Sequence, residues 1–431
     1  MKKLISIMVT VMFIVSIITP FANAETATPT SIANQYGYNV SDKYQPEGAA
    51  NIAQTGQILY DYNIDKKWYP ASMSKLMTMY LTLEAVKKGD LSLDDKVKIT
   101  EDHYRMSTLP KLSNTKLYPG ETYTIKELLQ ITVSASSNAA ALILANEVSK
   151  NTSEFTDLMN KKAKSIGMKD THFVNPTGAD NAQLEDFAPK KYTDEDNSVS
   201  STRDFEILSQ RSIQDTPKIL YFTKQTAPTQ HGVTYYTFNH SLEGGDMSLE
   251  GTDGLKTGSS DLANYNHTIT TKRDGFRIVQ TIMGAGNYDN FGGEKQRNMM
   301  GNAMMNMTFD QYKYTKILGK GEHKINGKTY YLEDDLYDVL PKDFTKEDYK
   351  YVIEDKKLHI EYDRSFISDK YGPPSVKVKK PLLHETTTMV KSTWDDHPIL
   401  TLLGIVLIIT ALAIVIYLLI DLIRRKSNNK K

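Results

Sequence analysis

The stretch Ser72-Met73-Ser74-Lys75-Leu76-Met77-Thr78-Met79-Tyr80-Leu81-Thr82-Leu83 decides how this chain is read. Leu76, Met77, Tyr80, Leu81 and Leu83 recur at helical spacing and Gly89 can end the run, so the pattern predicts a helix over 72–88 with one apolar face. Residues three apart on a helix lie on one face, a turn away from each other, which brings the Lys75 ammonium within reach of the Ser72 hydroxyl. Serine attacks well only when a neighbouring base takes its proton. A lysine can be that base if burial or a nearby cation lowers its pKa. A helix start at Ser72 would also favour negative charge on the oxygen. The string alone is weak, because Ser113-Asn114-Thr115-Lys116 and Ser427-Asn428-Asn429-Lys430 share it. One of these lies in a turn-rich stretch before Pro119-Gly120 and the other in a basic tail, and neither precedes an amphipathic run.

Two more strings complete a set. Ser136-Ser137-Asn138 falls between helices predicted over 124–133 and 138–148. In a functional reading, Ser136 relays a proton between Lys75 and a leaving group, while Asn138 orients the lysine and binds a substrate amide. The same residues also suit a helix cap, and both roles can hold together. Lys256-Thr257-Gly258 sits on a predicted strand ending in Ser259-Ser260. Lys256 and Thr257 can bind a carboxylate by charge-assisted hydrogen bonds, and Gly258 removes a side chain that would keep a substrate off the strand. Lys256 could also be the cation that lowers the Lys75 pKa. The backbone N–H groups of Ser72 and Ser259 would form an oxyanion hole.

Working outward, 51–54 and 57–60 read as a hairpin about Thr55-Gly56, and 155–166 as another amphipathic helix. The segments 255–260, 265–272 and 276–283 read as strands and 294–307 as a helix, giving an α+β architecture for a large domain over 25–308. From Phe309 the composition shifts to charged alternating runs at 313–317, 328–332, 351–353, 359–362 and 376–378. These predict a small β domain over 309–380, followed by a polar stalk over 381–398.

Both ends read as membrane signals. Met1-Lys2-Lys3, an apolar run and Ala22-Asn23-Ala24 predict a signal peptide over 1–24. The second apolar run, within 399–423, is long enough at ~1.5 Å per residue to cross a ~30 Å hydrocarbon core. The basic tail 424–431 would stay in the cytoplasm, so the large domain faces outward on a single-pass membrane protein.

The chain has no cysteine, which excludes disulfides and thiolate metal sites. Fifty-two basic residues balance 52 acidic ones, so no nucleic-acid or other polyanion partner is indicated. The nine histidines form no ligand-spaced pair; a surface position is expected for each, and no metal.

In this order the three strings resemble those of the serine penicillin-recognising family, and within it the low-molecular-mass penicillin-binding proteins, the serine D-alanyl-D-alanine carboxypeptidases. The similarity extends to Pro70-Ala71, Phe173-Val174-Asn175-Pro176-Thr177-Gly178, 251–260, the β domain and the anchor. The resemblance implies a penicillin-binding-protein/serine β-lactamase-like domain (an antiparallel sheet with helices), then a small all-β domain and a transmembrane helix. It implies acylation of Ser72 by the D-Ala-D-Ala end of a peptidoglycan stem peptide, with loss of D-alanine and transfer to water or to a stem amine, and no cofactor. β-Lactam antibiotics would acylate the same serine. The alternative is a β-lactamase-like or penicillin-sensing module with little peptidase turnover. Class A β-lactamases carry a deacylating Glu-x-x-x-Asn loop a few tens of residues beyond the second motif; here, between the second and third motifs, that string occurs only at Glu147 to Asn151, inside a predicted helix and too near the second motif. Two neighbours remain outside the catalytic set. Phe238 is expected in edge-strand packing, and Arg203 in an ion pair with Asp204 or another acid.

Overall fold

The computed structural model describes residues 26–288, 292–380, 393–394 and 397–428, so the expected signal peptide lies outside the described residues, as does most of the stalk. Five strands form one sheet: β1 (Gly48–Ala53), β2 (Ile58–Tyr62), β3 (Thr252–Ser260), β4 (Asn264–Arg273) and β5 (Phe276–Ala285). Their order is β2-β1-β5-β4-β3, and every neighbouring pair is antiparallel. The first hairpin of the domain thus pairs with its last strand, Gly48 opposite Met283. Central β5 is buried at every position but one, so the sheet is covered on both faces.

The longest helices of the cover are α1 (Lys75–Lys88), α2 (Ile125–Ser134), α3 (Asn138–Val148), α4 (Thr152–Ile166), α5 (Thr202–Asp215) and α6 (Gly293–Gln311), with the shorter helices Pro29–Gln35 and Ile219–Thr223 packed beside them. Alternate sheet residues divide between two cores. Ala49 and Ile282 pack with Met300, Ala303 and Met304 of α6. Ala50, Ile52, Val279 and Met283 pack with α1, α5 and the helices beyond them. This is the α+β sandwich of helices about an antiparallel sheet.

Helix α1 departs from the expected one-faced pattern. It is buried on nearly all sides, with Thr78 and Thr82 enclosed beside Leu76, Met77 and Tyr80. Such a helix runs through a domain rather than over it. Its hydroxyls are satisfied, Thr78 donating to the Pro176 carbonyl (2.6 Å) and Thr82 to the Thr78 carbonyl (2.8 Å). Gly89, with φ 85°, ends it as the sequence suggested. Helix α5 had no counterpart in the pattern reading, because Glu206, Ser209, Gln210 and Ser212 occupy buried positions and break the apolar period.

The break expected at Phe309 is not a single crossing. One compact unit runs to Tyr314 and also takes in Val339–Asp343 and Asp363–Gly372. Ile367 is fully buried in the α1 core; its N–H meets the Gly56 carbonyl (2.9 Å), and Ile58 N–H meets the Ser365 carbonyl (3.0 Å). The other unit holds a sheet ordered β6-β7-β10-β9-β8, formed by β6 (Gly321–Ile325), β7 (Lys328–Leu332), β8 (Lys350–Glu354), β9 (Lys357–Glu361) and β10 (Val376–Lys379). Its Ile325, Leu332, Leu358, Ile360 and Val378 are buried, alternating with exposed charges. Strand β6 escaped the sequence reading, since Gly-Glu-His-Lys-Ile holds a single apolar residue. Helix α7 (Pro398–Asn428) contains the apolar segment Pro398–Ile420, 23 residues of mean hydropathy 3.1.

Candidate active site

Ser72 sits in a tight 3-10 turn over Ala71–Ser74, one step before α1 rather than inside it. Ala71 adopts a left-handed φ of 47°, a conformation costing a non-glycine residue about 1–2 kcal/mol, held here by its surroundings. Lys75 opens α1 and is fully buried. Its Nζ lies 2.9 Å from Ser72 Oγ and donates to Asn138 Oδ1 (2.8 Å) and to the Thr177 carbonyl (2.9 Å). Burial, and then the charge of Lys256, hold the Lys75 pKa well below the ordinary lysine value.

Ser136 falls between α2 and α3 with a left-handed φ of 53°, a second enforced conformation. Its Oγ accepts from Lys256 Nζ (3.0 Å), which also donates to the Thr257 carbonyl (2.9 Å). The capping role goes to Ser137, whose Oγ accepts the Ala140 N–H (3.2 Å), leaving Ser136 to the cleft. Asn138 uses Oδ1 on Lys75 and Nδ2 on the Ser113 carbonyl (2.9 Å). Lys256 is buried and its pKa is lowered to about 7, by desolvation first and by the Arg297 guanidinium second, against the opposing pull of Glu294. Fully buried Arg297 donates to the Asn266 carbonyl behind β3 (3.0 Å).

Gly258 also has a packing reason that the sequence did not show. A Cβ there would stand 2.7 Å from Met73 N and from the Pro70 carbonyl, so its absence lets β3 close onto the Ser72 turn. Opposite it, Asn266 donates to the carbonyl of Tyr69 (2.9 Å), stitching β4 to the same turn. A cavity of about 510 Å³ opens here, lined by Ser72, Ser136, Thr257, Gly258 and Ser259, with Phe238 on its rim. Every serine, lysine and glycine singled out in the three strings therefore lies in or beside one cleft.

Several neighbours went unread. Ser113 had been set aside as part of a chance repeat, yet it lines the cavity and its carbonyl anchors Asn138. Arg297 and Asn266 gave no local signal; each lies far along the chain and matters through folding. Phe238 lies in a loop rather than an edge strand and is 42% exposed. Arg203 makes the ion pair expected of it, with Asp65 as the acid, while the Asp204 carboxylate accepts the Lys169 and Asp170 N–H groups. His267 is buried rather than superficial; desolvation lowers its pKa to about 3 and keeps it neutral beside Gln280 (3.1 Å). No cluster of three metal-ligating side chains occurs among the described residues.

A serine beside a buried lysine, faced by a second lysine that bonds a second serine at a sheet edge, is the arrangement of an active-serine acyl-transfer enzyme of the penicillin-binding type. Residues 50–287 match the family described as Peptidase S11, D-alanyl-D-alanine carboxypeptidase, and residues 314–379 match a domain of unknown function, DUF1958. The chain belongs to the D-alanyl-D-alanine carboxypeptidase family. It is 32% identical over 293 residues to the D-alanyl-D-alanine carboxypeptidase DacF of Bacillus subtilis, covering 67% of this chain and 68% of that one. The corresponding figures for DacA of Haemophilus influenzae are 27% over 278 residues, 64% and 65%, so the chain spans about two-thirds of each relative. Among solved structures, PBP3 of Streptococcus pneumoniae, described as a peptidoglycan synthesis regulatory factor, superposes with TM-score 0.68 at 25% identity, covering 80% of this chain and all of that one. Penicillin-binding protein D2 of Listeria monocytogenes, in its ampicillin-bound form, gives 0.50 at 30%, covering 61% and 97%.

Proposed function

We propose that Ser72 is the nucleophile and Lys75 its base in a serine D-alanyl-D-alanine carboxypeptidase acting on peptidoglycan stem peptides. One observation carries the assignment. Asn138 Oδ1 and the Thr177 carbonyl can only accept, so they take both N–H groups of a neutral Lys75 amine and leave its lone pair for the Ser72 hydroxyl. The Ser72 proton passes to Lys75 as Oγ bonds to the carbonyl carbon of the penultimate D-Ala. The backbone N–H groups of Ser72 and Ser259 hold the oxyanion. The bond to the terminal D-Ala nitrogen then breaks, with its proton delivered through Ser136. Lys256 and Thr257 hold the free carboxylate, Gly258 keeps β3 against the nucleophile, and Asn138 fixes Lys75 and offers its remaining amide hydrogen to the substrate. Water, or a stem amine in a cross-linking reaction, releases the acyl group.

β-Lactams would stop at the same Ser72 ester. Glu147, set aside in the sequence as too near the second motif to deacylate, lines a separate cavity with Leu81 and Lys161, which favours slow release. The domain limits 25–308 and 309–380 serve as a working division, with the reaction outside a membrane that α7 crosses once. The test is intact-mass spectrometry with benzylpenicillin and assay of D-alanine from a stem pentapeptide. One adduct per chain and catalytic D-alanine release, both lost in Ser72→Ala, are expected; an adduct surviving that substitution would sink the assignment.

A further inference from the structure

We propose that Asn175 is a positioning residue for the Ser72–Lys75 pair, locking the Thr177 carbonyl onto Lys75 and the Gly178 turn onto the backbone before Ser72. The inference rests on the reading of Lys75 as the base. Asn175 is fully buried and makes five hydrogen bonds within its own loop. Oδ1 accepts from Thr177 N (2.9 Å), Thr177 Oγ1 (2.8 Å) and Gly178 N (2.8 Å), and Nδ2 donates to the Ala179 carbonyl (2.7 Å) and Asn181 Oδ1 (2.9 Å). That exhausts an amide, so Asn175 has nothing left for a substrate and acts through its neighbours.

Those neighbours touch both reacting residues. The Thr177 carbonyl is one of the two acceptor-only partners that direct the Lys75 lone pair. Gly178, at φ 78°, sits so close that a Cβ there would stand 1.9 Å from the Ala71 carbonyl oxygen, which makes this turn a brace for the left-handed Ala71 preceding Ser72. The same loop is tied to α1 through Thr78 and Pro176. Releasing Asn175 frees the Thr177 carbonyl to rotate, and the amine loses one of the two contacts that orient it. A displacement of about 1 Å in such a pair is enough for a ~100-fold loss of rate.

The charged group facing Lys75 is Lys256 on β3; the other groups around its Nζ, Ser72, Asn138 on α3 and the Thr177 carbonyl, are neutral. Asn175→Asp keeps the acceptor but adds a negative charge to this cationic surrounding, which favours the ammonium form of Lys75. The experiment is stopped-flow acylation of the full-length protein by benzylpenicillin across pH, with reactive molecules counted by intact mass. Asn175→Ala is expected to lower the acylation rate constant about 100-fold while leaving the preceding binding constant unchanged, since Lys256 and Thr257 are untouched. Asn175→Asp should recover part of that rate and move the acid limb upward by about one pH unit. If Asn175→Ala does not fold, Asn175→Asp and Thr177→Val decide, the latter removing one bond to Asn175 and giving a smaller fall. A merely structural Asn175 would lower Tm while leaving the rate per reactive molecule and the acid limb at wild-type values, and that result overturns the inference. Full acylation of Lys75→Ala would instead overturn the underlying assignment.

Discussion

Ser72-Met73-Ser74-Lys75 and Ser113-Asn114-Thr115-Lys116 carry the same spacing, and the fold uses them in opposite ways. The first is folded so that its lysine is sealed in the core, 2.9 Å from its serine. The second lies in a loop, where Lys116 is exposed and the contribution of Ser113 to the cleft is its backbone carbonyl. Spacing brings a serine and a lysine together only where a helical turn begins, and burial is what suits the lysine to the role of base proposed for it. Only an amine that has given up its third proton has the lone pair to take one from a hydroxyl.

Substitution at paired positions tests the contrast. Ser72→Ala should abolish the benzylpenicillin adduct, whereas Ser113→Ala keeps the carbonyl and should acylate near the wild-type rate; equal loss in both would break the distinction. Lys75→Ala should slow acylation by about 10²–10⁴-fold against no change for Lys116→Ala, as read by stopped flow. Gly178→Ala comes next. It forces a side chain into a left-handed position and onto the Ala71 carbonyl, and should cost at least about 2 kcal/mol in chemical denaturation. The alkaline limb follows from Lys256: with a pKa lowered to about 7, its ammonium is present below that pH and lost above it, so kcat/KM for carboxylate substrates should decline as pH rises through about 7. An alkaline limb unmoved in Lys256→Arg would assign it elsewhere. The smallest effect belongs to Arg203→Ala, whose ion pair with Asp65 is partly solvent-exposed; a stability change within about 1 kcal/mol and unchanged acylation are expected.

Local chemistry made much of this legible in the sequence. Helix α3 begins at Asn138 and ends at Val148 as the apolar run indicates, and strands β3 to β5 follow the alternating and turn signals about Asp274-Gly275. What escaped depends on pairing across long stretches of chain. Thr177 reaches Lys75 across 102 positions and Lys256 reaches Ser136 across 120, and neither a carbonyl nor a buried amide such as Asn266 carries a sequence signature. Gly258 was legible as a glycine that must stay small. Its partner was not, because Met73 and Pro70 meet it only after the sheet edge closes on the turn.

The central claim is that Lys75 is neutral where it works. Its most direct test is the pH dependence of the benzylpenicillin acylation rate constant, followed on the wild-type protein with Lys75→Ala as the blank. The account predicts an acid limb well below 10.5, the ordinary lysine value, with the neutral amine already supplying the rate near pH 7. A rate that keeps climbing until about pH 10.5, as for an unperturbed lysine, would contradict it.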